Sequence, residues 1–206
     1  MADITLPPRY RAVHAAGGAL LYVALGAAWA LVGALELRPW GAPWLNIALG
    51  AITGALLILG FRGLQRANGL EEDTVSEEQQ RERERRARCS HRVISAQGFL
   101  ITGISAALIL SNQHAYIAAA TSLAVGLHFV ALAAIHRTPG EYLIGGLMIA
   151  IAGGAIYWVP QTTALSNGGM NVIAGLGTAA VLWGASIVRL VQINQNWEDP
   201  DQGQSQ

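Results

Sequence analysis

The chain has 206 residues, 52% hydrophobic and only 13% charged, against about 25% charged for an ordinary soluble domain. Between Val93 and Arg189 the only formal charges are Arg137 and Glu141, which excludes a water-soluble globule, because one of this size must show polar residues along most of its helices. The formal net charge is zero, so no bulk polyanion and no nucleic acid is expected as a partner.

Six apolar stretches are long enough to cross about 30 Å of hydrocarbon. The first, near 12–35, follows Arg9 and Arg11 as a signal peptide would, but it is longer than the roughly 7–15 residues of a signal's apolar core and is read as a retained helix. Trp40 and Trp44 mark the interface before the second span, near 44–61. The segment 62–92 is charged. In it "ANG" at 67–69 predicts a helix stop with Gly69 in the left-handed conformation, and Thr74 with Glu77 predicts a capping box that restarts a helix. The run "EEQQRERERRAR" then sets Glu77–Arg81, Glu82–Arg86 and Glu84–Arg88 four residues apart in the favourable order. No apolar stripe accompanies these charges, so the segment is expected to project from the membrane as a solvated extension of the third span, 93–111. Its Arg81–Arg92 end could also hold anionic lipid headgroups, at about 1 kcal/mol per charge near the surface.

The fourth span, near 115–135, opens with Tyr116, and the fifth, near 142–159, closes with Tyr157 and Trp158, residues that favour membrane interfaces. The sixth lies near 170–190, and the polar tail 191–206 is expected to be disordered. Arginine counting sets the direction. With the N-terminus inside, Arg9, Arg11, eight arginines of the 62–92 segment, Arg137 and Arg189 are inside, and Arg38 alone is outside. The expectation is therefore an all-α integral membrane protein, one membrane domain over 1–206, a six-transmembrane-helix bundle with N and C termini cytoplasmic. All thirteen basic residues are Arg, a compositional bias of GC-rich genomes that points to a bacterial inner membrane.

An internal echo suggests repeated helical hairpins. Asn46, Gly50 and Thr53 in span 2 share an N-x3-G-x2-T pattern with Asn171, Gly175 and Thr178 in span 6. Both triplets are expected to face the bundle, where small residues let helices approach closely. The same spacings also arise simply because Gly and Ala are abundant.

No catalytic or metal signature is present, and the single cysteine, Cys89, excludes an intramolecular disulfide and a cysteine-cluster metal site. Cys89 has an arginine-rich, juxtamembrane setting that would favour thiolate or acylation, although a lone cysteine has no necessary role. No cofactor is expected. No Asp or Glu lies inside a span, with Glu36 and Glu141 placed at helix ends, which disfavours a carboxylate-based carrier. The remaining candidate is His128, about three residues, or ~4–5 Å of helical rise, inside the midplane of span 4. A neutral imidazole there needs a donor and an acceptor satisfied. Tyr22 of span 1 and the span 3 stripe Ser95, Thr102 and Ser105 are its expected neighbours. Two readings stay open: a proton or ligand site facing a wet cavity, or a histidine that only ties helices together.

The stretch "VGLHFVALAAIHRTP", followed by "YLIGGLMIAIAG", resembles uncharacterised small multi-span bacterial membrane proteins with Gly-x-His-Phe in a helix. The resemblance covers spans 4 and 5 only and implies no activity for any residue. The leading expectation is binding or transport of a small, uncharged or amphipathic solute through a Gly-lined bundle centre. The alternative is a non-transporting membrane assembly or sensory subunit whose 70–92 segment binds a partner. An enzyme ranks third, since the sequence supplies no evident acid, nucleophile or metal ligand beside His128. Besides the lipid bilayer, a second copy of the chain is an allowed partner.

Overall fold

Prolines open three of the long helices: Pro8, Pro43 and Pro139 each occupy a first helical position, where the missing N–H has no intrahelical partner to lose and the fixed φ suits a helix. The computed structural model describes residues 8–37, 43–70, 76–136, 138–158 and 168–198. Its helices are α1 (Pro8–Glu36), α2 (Pro43–Asn68), α3 (Glu77–Leu110), a 3-10 turn (His114–Tyr116), α4 (Ile117–His136), α5 (Pro139–Trp158) and α6 (Gly169–Glu198). Six are long and apolar enough to span a membrane, and no strand occurs among the described residues. The chain is a multi-pass, all-helical membrane protein. Large exposed apolar side chains such as Trp44, Phe99 and Leu110 would face lipid rather than water. Arg38, Trp40, Thr74 and Arg137 lie outside the described residues.

The part of the charged segment from Glu77 onward and the third span form one uninterrupted helix of 34 residues. Its start differs from the expectation. Ser76 is the cap: its side chain accepts from the Gln79 N–H at 3.3 Å, and the Gln79 side chain accepts from the Ser76 N–H at 3.2 Å. That reciprocal pair leaves Glu77 and Glu78 in the first turn, where the helix dipole favours them. The Arg81–Glu77 pair forms at 3.5 Å, while Glu84 accepts from Gln80 at 3.3 Å.

Helix ends also differ from the expectation. α2 stops at Asn68, but no glycine among the described residues has a positive φ; that conformation belongs to Asn112, at φ 56°. Asn112 closes α3, its N–H donating to the Ile109 carbonyl at 3.0 Å and that of Gln113 to Leu108 at 2.7 Å, the double bond of a Schellman ending. α6 does not stop near Leu190. It continues to Glu198, with Ile193 buried and Arg66 of α2 donating to the Asn194 side chain at 3.2 Å, so the first half of the expected disordered tail is helix.

Packing is dominated by α1 against α6 and α4 against α5, with α6 also touching α2, α4 and α5, while α3 rests chiefly on α4. Glycines set the closest approaches. A Cβ on Gly175 would lie 2.5 Å from the Gly33 nitrogen and 2.9 Å from the Trp29 carbonyl. Gly126 and Gly145 abut backbone to backbone: a Cβ on either would come within 3 Å of the other's carbonyl, at 2.9 and 2.6 Å. In a solvent as apolar as the side chains, such close contact and buried interhelical hydrogen bonds hold helices together. The Ser122–Thr178 bond, 2.7 Å and fully buried, joins α4 to α6. Ser186 donates to the Ala19 carbonyl at 3.1 Å, joining α6 to α1.

The two halves of the expected repeat face separate here. Gly175 and Thr178 are buried, and Asn171 donates to Glu36 at 2.9 Å. Asn46 and Gly50, by contrast, are exposed, and a Cβ on Gly50 would meet nothing within 4 Å. Thr53 returns its hydroxyl to the Leu49 carbonyl of its own helix at 2.8 Å. The same motif is a packing face on α6, where α1 lies against it, and open surface on α2.

Candidate functional site

Side chains on a helix lean toward its N-terminus. α1 and α5 begin at the end of the bundle where α6 finishes, so Tyr22 and Glu141 lean toward that end. Arg189, near the end of α6, leans back into the bundle, and the three meet. Arg189 Nη2 donates to the Tyr22 hydroxyl at 2.9 Å and to Glu141 Oε1 at 3.1 Å. Its guanidinium carbon stands 4.4 Å from the centroid of the Tyr22 ring, a cation–π distance. Tyr22 in turn meets Phe129 of α4 edge to face, with centroids 5.5 Å apart. Beneath this cluster lies an apolar core shared by α1, α4, α5 and α6, including Met148 and Leu182.

The ion pair is largely removed from solvent, the Arg189 and Glu141 side chains being 25% and 11% exposed. Opposite charges in contact make this tolerable where either alone would be costly. Arg189 lies 20 residues beyond Gly169, about 30 Å along α6, and Glu141 two residues, about 3 Å, into α5. Both therefore sit at the border of the hydrocarbon layer. One carboxylate oxygen is used; Glu141 Oε2 is buried without a partner.

His128 stands beside this cluster, its ring tilted against Phe129 with centroids 5.9 Å apart. Its Nδ1 is buried without a hydrogen-bond partner. The expected partners are elsewhere. Tyr22 is committed to Arg189, Ser95 and Thr102 are exposed on α3, and Ser105 is half-buried. α3 carries too weak a polar face for its facing to be read from spacing, and Ser95 and Thr102 turn to the exposed side.

Sequence reasoning missed Arg189 and Glu141 as a pair, treating each as a marker of a span end. The available signal was their isolation: an acid opening span 5 and a base closing span 6 fall at the same end of an antiparallel hairpin. Cys89 is half-buried on α3, and no group of three His, Cys, Asp or Glu side chains comes together among the described residues. Comparison of the chain with protein-family models, curated proteins and solved structures finds no match.

Proposed function

We propose that this is a bacterial inner-membrane protein, both termini cytoplasmic, that binds a small solute at the arginine-rich end of its bundle, as the receiving site of a transport or sensing cycle. One observation carries the reading: two buried acceptors without donors, Glu141 Oε2 and His128 Nδ1, flank the Arg189–Tyr22 cluster where four helices meet. The neutral imidazole tautomer that carries its proton on Nε2 accepts at Nδ1. Two acceptors in a desolvated setting call for a donor-bearing guest, an amine or a hydroxyl compound. The bundle centre is a poorer site than the sequence suggested, because Gly33, Gly126, Gly145 and Gly175 are used for helix contact.

The test is thermal stabilisation of the detergent-purified protein by an alkylammonium series and a polyol series. Stabilisation of the wild type that disappears in His128→Phe, a variant that fills the ring's space without an acceptor, supports the site. No stabilisation by either series, or equal stabilisation in the variant, refutes it. Flux of the stabilising compound into proteoliposomes then separates transport from binding alone. A second reading, a non-transporting assembly or sensory subunit that binds a partner through its 70–92 segment, draws on the charged half of α3, where Glu77, Glu78, Arg81, Arg88 and Arg92 are exposed.

A further inference from the structure

Outside the ion-pair cluster, the feature with the most definite chemistry is a lateral groove of about 300 Å³ between α2 and α6. Its walls are apolar along most of its length, formed by Leu56 and Leu59 on one side and Ile187 and Val191 on the other. At one end stand Arg62 and Arg66, one helical turn apart and both exposed, with Asn194 across from them. Gly63 also lines the groove: a Cβ there would meet Leu190 at 3.8 Å, an ordinary contact, so a bulky side chain such as Phe at this position would extend into the groove.

Position along α2 fixes what this groove meets. Arg62 is 19 residues beyond Pro43, about 28 Å of helical rise, so with Pro43 at the opposite interface it reaches the hydrocarbon border, and Arg66 reaches about 6 Å further. The apolar walls are thus at acyl-chain depth and the guanidinium groups at headgroup depth. Neither arginine has a carboxylate partner among the described residues. Arg66 donates instead to Asn194 Oδ1 at 3.2 Å, which orients the Asn194 amide and leaves its N–H groups to donate. Two cations and an amide facing one point, at the end of an apolar trough, complement a phosphodiester attached to an alkyl chain.

We infer that the α2–α6 groove binds one anionic phospholipid from the leaflet at the arginine-rich end, an acyl chain between Leu59 and Val191 and the phosphate held by Arg62, Arg66 and Asn194. This site is distinct from the Arg81–Arg92 stretch of α3, and it does not depend on the proposed solute site.

The test uses the full-length protein purified in detergent and titrated with phosphatidylglycerol, with phosphatidylcholine of the same chains, and with inorganic phosphate, bound adducts being counted by native mass spectrometry. Phosphatidylglycerol should give one adduct retained in preference to phosphatidylcholine, and phosphate alone should give none. Arg62→Gln and Arg66→Gln should each weaken phosphatidylglycerol on the order of fivefold, the loss expected for one charge near the headgroup layer, while Arg62→Lys keeps most of the affinity. Gly63→Phe, checked for an unchanged melting temperature, should block the adduct with both arginines intact. Unchanged binding in the double Arg→Gln variant, or in a folded Gly63→Phe protein, overturns the inference. Phosphate binding as strong as that of the lipid overturns the assignment to a lipid.

Discussion

Replacing Glu141 by leucine tests whether the ion pair organises the four helices that meet at it. At 3.1 Å and an effective dielectric near 20, the bare attraction is about 5 kcal/mol, most of which offsets the desolvation of two charges. Removing one partner of a buried pair typically costs about 3–5 kcal/mol. Here Arg189 keeps its bond to the Tyr22 hydroxyl and its place over the ring, worth about 0.5–2 kcal/mol, and can swing its head toward the headgroups. The expected cost of Glu141→Leu is therefore about 2–3 kcal/mol. Arg189→Leu should cost a similar amount, since it leaves both carboxylate oxygens unpaired beside the apolar core. The double Leu variant, with no charge left to strand, should fall short of the summed single losses by about 2 kcal/mol. Unfolding in mixed micelles by titration with a denaturing detergent, followed by circular dichroism, measures all four proteins. Single losses that add to within about 0.5 kcal/mol would refute the coupling.

Gly145→Val should destabilise by about 1–3 kcal/mol, because its Cβ would enter the Gly126 carbonyl's space, whereas neighbouring Gly146→Val, with nothing within 4 Å, should leave the melting temperature unchanged. Thr178→Val breaks the buried bond to Ser122 and should cost about 0.6–1.7 kcal/mol in the same unfolding assay. At Asn112, whose φ is 56°, glycine should be neutral and valine should cost about 1–2 kcal/mol, read as a lowered melting temperature. In a Cys89→Ser background, a cysteine at Asn112 should react with an impermeant maleimide added outside intact cells, and one at Gln79 should not; the reverse pattern would overturn the proposed orientation.

The spans were legible because hydropathy is a property of the chain alone: any run of about 20 apolar residues must be buried in something. Facing is a property of neighbours. The N-x3-G-x2-T pattern is identical on α2 and α6, yet α1 covers only the α6 copy, with Gly33 against Gly175. In the same way Ser95 and Thr102 are exposed and do not turn toward His128, since α3 has no strongly polar edge among its apolar residues to betray its outward side. Tyr22 is buried, as a neighbour of His128 would be, but the partner of its hydroxyl is Arg189. The caps show a third case. Thr74 and Ser76 both have a residue three positions later able to return the bond, and local geometry, not pattern, selected Ser76 with Gln79.

The principal pairing of α1 with α6 joins the two of these six helices that lie farthest apart along the chain, which constrains how the molecule can be assembled. As the chain emerges, α1 enters the bilayer with the shallow grooves at Gly26 and Gly33 open to lipid and must keep them unfilled while four further helices insert. Trp183 and Leu176, the side chains that lie against those grooves, arrive only with the final span, and so does Arg189, without which Tyr22 and Glu141 lack their partner. Cooperative closure is thus deferred until α6 inserts, and a chain cut before residue 170 lacks the side chains that complete these contacts.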